Sequence, residues 1–153
     1  MSTFEEVLDR DGRLVYRTKG RSMLPMLRQD KDLVIIEPHG ARLKPMDVAL
    51  YKCGSRYVLH RVIRVGDGHY LIRGDNTFSL ETVPDGAVLG VLTGFQRNGR
   101  EHAAEDRGYR LYARVWTALY PLRFLCVRCR RAAMEAARKL GVLPLIKKAL
   151  RRG

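Results

Sequence analysis

The sequence predicts a mainly β protein: a small, coiled antiparallel β-domain with a short N-terminal helix and a basic α-helical C-terminal tail. Three observations carry this. Six short runs rich in Val, Ile, Leu and Tyr lie between residues 14 and 96, punctuated by Gly, Pro and Asp. Beyond about residue 109 the apolar period changes to steps of three and four. The charge changes there too: residues 110–153 hold 12 of the 29 Lys and Arg and one acid, Glu135. Residues 1–109 hold 17 bases and 15 acids, so the front of the chain is nearly neutral.

Taken in order, Ser2-Thr3-Phe4-Glu5-Glu6 offers a capping-box pattern, which predicts a helix over 3–10 ended near Gly12. Strands are expected at Leu14–Arg17, Leu33–Glu37, Val48–Lys52, Tyr57–Val65, Tyr70–Arg73 and Val88–Gln96. Turn residues separate them at 38–40, 53–54, 66–68 and 84–86, and Gly66-Asp67-Gly68 reads as a hairpin. Residues 98–108 are polar and read as a linker loop. Leu122, Leu125, Cys126, Cys129, Ala132, Ala133, Ala136 and Leu140 form one helical stripe, with most Arg and Lys away from it. Tyr120-Pro121 separates this helix from one over about 109–119, Gly141 is a natural stop, and Val142–Arg152 reads as a last amphipathic turn or two. The segments are therefore an N-terminal helix (1–12), a β-domain (13–97), a linker (98–108) and a basic amphipathic tail (109–153).

At 153 residues and 46% hydrophobic, the chain has room for one packed domain and a small appendage. Three cysteines make no secreted disulfide framework. Cys126 and Cys129 lack the second pair or nearby His that would complete a zinc site, and their place on the apolar stripe reads as buried and structural. No metal or cofactor is implied. The acidic residues among the first twelve do not resemble a secretory signal, and the most apolar stretch, Leu111 to Cys129, is broken by Arg114, Pro121, Arg123 and Arg128. These features point to the cytoplasm. The basic tail, with Tyr112, Trp116 and Tyr120 nearby, points instead to the periphery of an anionic membrane surface, or to a pair of helices docked on the β-domain. Nucleic-acid binding is disfavoured, because no recognition module accompanies the charge.

Three elements carry chemistry. Gly20-Arg21-Ser22-Met23-Leu24-Pro25 sets a serine on a turn stiffened by Pro25 and permitted by Gly20. His60-Arg61-Val62 lies in a strand-like run, and Gly74-Asp75-Asn76 ends the next, with Glu81 six residues past Asp75. A serine needs a base to become a nucleophile, and a histidine needs an acid to fix its tautomer. Read singly, Ser22 caps a turn, His60 is a hydrogen-bonded core histidine and Gly74-Asp75-Asn76 is an ordinary turn. Asp32 and Asp47 open strands and read as turn residues, while His39, His69 and His102 sit in or beside turns and read as solvated.

The ordered set Gly-x-Ser-Met-x-Pro-x-Leu, Leu43-Lys44-Pro45-Met46-Asp47-Val48, His-Arg-Val and Gly-Asp-Asn resembles the signal peptidase family, within the wider superfamily that includes the self-cleaving, LexA-like SOS repressors. The resemblance covers about residues 14–95 and is nearest the histidine type found in archaea and the endoplasmic reticulum. It implies a serine endopeptidase acting on a peptide or protein substrate through an acyl-enzyme. Ser22 would be the nucleophile, with its backbone N–H as oxyanion donor, and His60 the general base. The acid stays open between Glu81, at the triad position, and Asp75, the neighbouring motif acid. Two departures stand out: no N-terminal membrane anchor is visible, and Gly20 replaces a serine that supplies a second oxyanion donor in many bacterial members. A non-catalytic peptide-binding or membrane-associated module of the same fold is the alternative.

Overall fold

The computed structural model describes residues 2–139; the stripe residue Leu140, the stop at Gly141 and the turn over 142–152 lie outside them. Helix α1 (Phe4–Asp11) starts on the expected box: Thr3 accepts from the Glu6 N–H, and the Glu6 carboxylate accepts from the Thr3 N–H. Gly12, in the left-handed region, closes it. The strands are β1 (Leu14–Arg17), β2 (Leu33–Glu37), β3 (Val48–Cys53), β4 (Arg56–Val65), β5 (His69–Arg73), β6 (Glu81–Pro84), β7 (Val88–Arg97) and β8 (Arg100–Ala103). All pair antiparallel in one sheet of order β1-β2-β7-β3-β4-β5-β6, with β8 on β7.

Two strands correct the sequence reading. Residues 98–108 are not a linker loop: Asn98 and Gly99 both take positive φ (53° and 76°), the two-residue turn that matches strand twist, and β8 folds back on β7. Glu81–Pro84 pairs with β5 as an edge strand, where the missing N–H of Pro84 is tolerated.

Helix α2 (Arg107–Ala118) begins directly after β8, and α3 (Tyr120–Lys139) follows. The described residues divide into two units, which meet between Thr117 and Ala118. In the first unit α2 turns Tyr109, Tyr112, Ala113 and Trp116 inward, at helical spacing, and Ala113 is buried. Tyr112 and Trp116 therefore bond to the β-domain. In the second unit Cys126 and Cys129 are exposed, as are Leu122 and Leu125, which corrects the expectation that the cysteines are buried. Among the described residues no helix is long and apolar enough to cross a membrane.

Strand alternation divides the core in two. Val48 and Leu50 of β3 join a cluster with Met23, Met26, Leu27, Val34, Ile36 and Leu59. Ala49 and Tyr51, pointing the other way, join Leu43, Val62, Tyr70, Ile72, Val83 and Val88. The two consecutive residues His60 and Arg61 are thus sent to opposite faces of β4.

Candidate active site

Ser22 opens a tight turn over residues 22–26. Gly20, at φ +92°, permits the bend, and the Leu24–Pro25 peptide is cis. Met23, Met26 and Leu27 are buried, so the residues after the serine anchor the turn while Ser22 stays half-buried at its start. The far end is held by Asp32, fully buried, which accepts the Arg28 N–H at 2.8 Å and pairs with its guanidinium at 2.6 Å. Burial pushes that carboxyl up, but the bonds from Arg28 outweigh it and hold it below the usual range. Asp32 is therefore a buried anchor more than a turn residue.

The Gly74-Asp75-Asn76 segment grips the same turn. The Asn76 N–H donates to Ser22 O at 2.7 Å, and Asn76 Nδ2 to Arg21 O at 3.1 Å. Gly74 sits where no side chain fits: a Cβ there would lie 2.7 Å from Ser22 O and 3.0 Å from His60 Nε2. Two atoms 2.7 and 3.0 Å from one point are at most 5.7 Å apart, so the Ser22 turn and the Nε2 edge of the imidazole face each other across Gly74. Among the described residues no hydrogen bond joins the Ser22 hydroxyl to His60. Such contacts are commonly long without substrate and tighten in the complex. Gly74→Ala is expected to displace one of these neighbours and to cost about 1–3 kcal/mol of stability. A thermal melt checks this; an unchanged Tm in Gly74→Ala would contradict the geometry.

His60 lies opposite Ala49 in the β3–β4 ladder and points to the second core face. Glu81, opposite Ile72 at the start of β6, reaches the same place from the sheet edge. His60 Nδ1 is 3.3 Å from Glu81 Oε1 and 3.2 Å from the Tyr51 hydroxyl, which donates to Glu81 Oε2 at 2.6 Å. Burial lowers the His60 pKa below 6.5, and the charges of Glu81 and Asp75 and the Glu81 hydrogen bond pull it only partly back. The imidazole is therefore neutral at neutral pH, the state a general base requires.

Asp75 is engaged elsewhere. Its carboxylate takes two bonds from Arg61, Nε to Oδ1 and Nη2 to Oδ2, both 2.8 Å, and a third from the Tyr112 hydroxyl at 3.1 Å. Trp116 Nε1 donates to its backbone O at 2.9 Å. Arg61, fully buried, also donates to Met46 O and to the Tyr109 hydroxyl and faces the Tyr109 ring. Of the two candidate acids, only Glu81 is placed against His60 Nδ1. Asp75 instead ties the turn, β4 and α2 together from the opposite face.

A cleft of about 820 Å³ opens beside Ser22, walled by Phe4, Tyr16, Met23, Leu27, Tyr57 and Leu59. Two strand edges unpaired among the described residues border it: there β1 pairs with β2 alone, and Arg56–Leu59 of β4 pair with β3 and not with β5. The remaining histidines take no part: His39 and His69 bond to nearby carbonyls in turns, and His102 stacks on Phe95. Among the described residues no cluster of His, Cys, Asp and Glu is placed to hold a metal. Comparison with protein-family models and with curated proteins yields no match.

Proposed function

We propose that the protein is a serine endopeptidase of the signal-peptidase kind, with Ser22 as nucleophile, His60 as general base and Glu81 as the acid that orients it. The observation that carries the reading is the convergence on Gly74: its bare Cα is what separates the Ser22 turn from His60 Nε2, while Glu81 lies at Nδ1. In the reaction, the Ser22 hydroxyl adds to a peptide carbonyl carbon as its proton passes to Nε2. The carbonyl π pair moves to oxygen, which the Ser22 N–H receives; among the described residues that N–H has no other acceptor. Collapse expels the amine, which takes the proton back from Nε2. Water then adds to the acyl carbon as Nε2 takes its proton, and collapse breaks the bond to the Ser22 oxygen, which takes that proton back.

The unpaired edges of β1 and of Arg56–Leu59 suit an extended substrate chain added by β-pairing, lying past Ser22 along an apolar wall. The pH dependence of kcat/KM for such a peptide tests the base. His60 touches Tyr51 and Glu81 and feels the charge of Asp75 from the other face of the sheet, and its neutral form, favoured by burial, is the active one. Activity should therefore rise from the acid side with a midpoint below 6.5. Glu81→Gln should lower the midpoint further, because it removes a charge that pulls the pKa up. A limb that rises only well above pH 7, or one that Glu81→Gln moves upward, would count against His60 as base.

A further inference from the structure

We infer that Tyr51 is a positioning residue of this site: its hydroxyl bridges Glu81 and His60 Nδ1 and holds the imidazole in the tautomer whose Nε2 is free to take the Ser22 proton. The inference rests on the peptidase reading above, and its physical part is testable without any turnover.

Ala49 is opposite His60, and Tyr51, two residues along β3, points from the same face. Its partner across the ladder is Val58, so Tyr51 and His60 are diagonal neighbours, a separation that an aromatic side chain can bridge. Their rings meet edge-on, with centroids 6.1 Å apart. Tyr51 is only 1% exposed and is packed in the cluster that holds Val62, Ile72 and Val88. Its hydroxyl is thus a fixed point.

Proton counting then assigns the tautomer. A phenol has one proton, and at 2.6 Å the Tyr51 proton goes to Glu81 Oε2, since a carboxylate only accepts. Toward His60 Nδ1, at 3.2 Å, the Tyr51 oxygen is left as acceptor. Nδ1 must therefore carry the hydrogen, shared between the Tyr51 oxygen and Glu81 Oε1 at 3.3 Å. Nε2, on the Gly74 side, keeps its lone pair.

Glu81 alone is a poorer holder. Its side chain is 36% exposed on an edge strand and can swing into water, whereas the bond to Tyr51 ties one oxygen to the core. A Tyr that served only to fill space would be replaced by Phe without consequence for the imidazole. A positioning Tyr would not.

The test compares wild type with Tyr51→Phe, both ¹⁵N-labelled, by long-range ¹H–¹⁵N spectra of the histidine rings above the His60 titration, with His60 assigned by loss of its signals in His60→Ala. Wild-type His60 should show a protonated Nδ1 and a free Nε2. Tyr51→Phe should show a mixture of tautomers, and its kcat should fall roughly 10- to 100-fold with KM little changed. Wild-type His60 protonated on Nε2 would overturn the inference even if the variant fails to fold. An unaltered tautomer, or an unaltered kcat, in a folded Tyr51→Phe would overturn it as well. If no peptide is turned over by wild type, that failure falls on the peptidase reading, and the ring spectra still decide the place of Tyr51.

Discussion

Ser22→Ala is expected to lower kcat for peptide cleavage by roughly 10⁴- to 10⁶-fold and to leave the fold unchanged. The serine is half-buried, and among the described residues its hydroxyl makes no hydrogen bond, so its removal strands no partner. A change in stability within about 0.5 kcal/mol is the expectation for such a site. The turn is held by the buried Met23, Met26 and Leu27 and by the backbone bond from Asn76, all of which survive the change. His60→Ala should cost a comparable amount, and the double variant no more than either, because nucleophile and base act as a unit. Cleavage by Ser22→Ala at a rate near that of wild type would remove the serine from the chemistry.

Asp75→Ala should have the opposite signature, with a large loss of stability. Arg61 is fully buried, and Asp75 supplies both acceptors of its paired bonds. Without Asp75 the guanidinium keeps Met46 O and the Tyr109 hydroxyl but has no counter-charge. Removing one partner of a buried ion pair costs about 3–5 kcal/mol, which for a chain of this size lowers Tm by roughly 10 °C or more. The pair Arg61→Met with Asp75→Leu should recover most of the loss, since neither charge is then left alone. Glu81→Ala, at a partly exposed edge, should cost little stability and much of the rate. Thermal melts beside kinetics on the same proteins separate the two acids. An Asp75→Ala protein that keeps its Tm but loses its rate would make Asp75 the acid of the site.

Much of this was legible in the chain. β1 and β2 coincide with their apolar runs, and β3, β4, β5 and β7 differ from theirs by a residue at one end. The missed strands are instructive. Asn98-Gly99 is a strong hairpin signal, yet Arg100-Glu101-His102-Ala103 is too polar to look like a strand; backbone pairing to β7 carries it. Glu81–Pro84 is short and ends in proline, which suits only an edge. Docked helices were one reading of the tail, but the inward face of α2 was not legible, because Tyr112 and Trp116 also fit an interfacial helix and the hydroxyl and indole partners of Tyr109, Tyr112 and Trp116 come from residues more than thirty positions away.

The site divides in the same way. Ser22, His60 and the glycine between them are marked by local motif and turn chemistry. Arg61 had a signal too: an arginine inside Val58-Leu59-His60-Arg61-Val62-Ile63 must find a buried counter-charge, and Asp75 was available. The choice between Glu81 and Asp75 was not readable, because strand alternation sends His60 and Arg61 to opposite faces and only the register says which acid waits on each. Tyr51 was invisible for that reason: it matters through its diagonal relation to His60.

The central claim is that Ser22 is a nucleophile activated by His60, and covalent capture tests it most directly. After incubation with a fluorophosphonate near neutral pH, intact mass followed by peptide mapping should give one adduct, on Ser22, formed far more slowly by His60→Ala. A protein that stays unmodified, or one in which His60→Ala reacts as fast as wild type, would contradict the account and leave the fold as a peptide-binding module without chemistry.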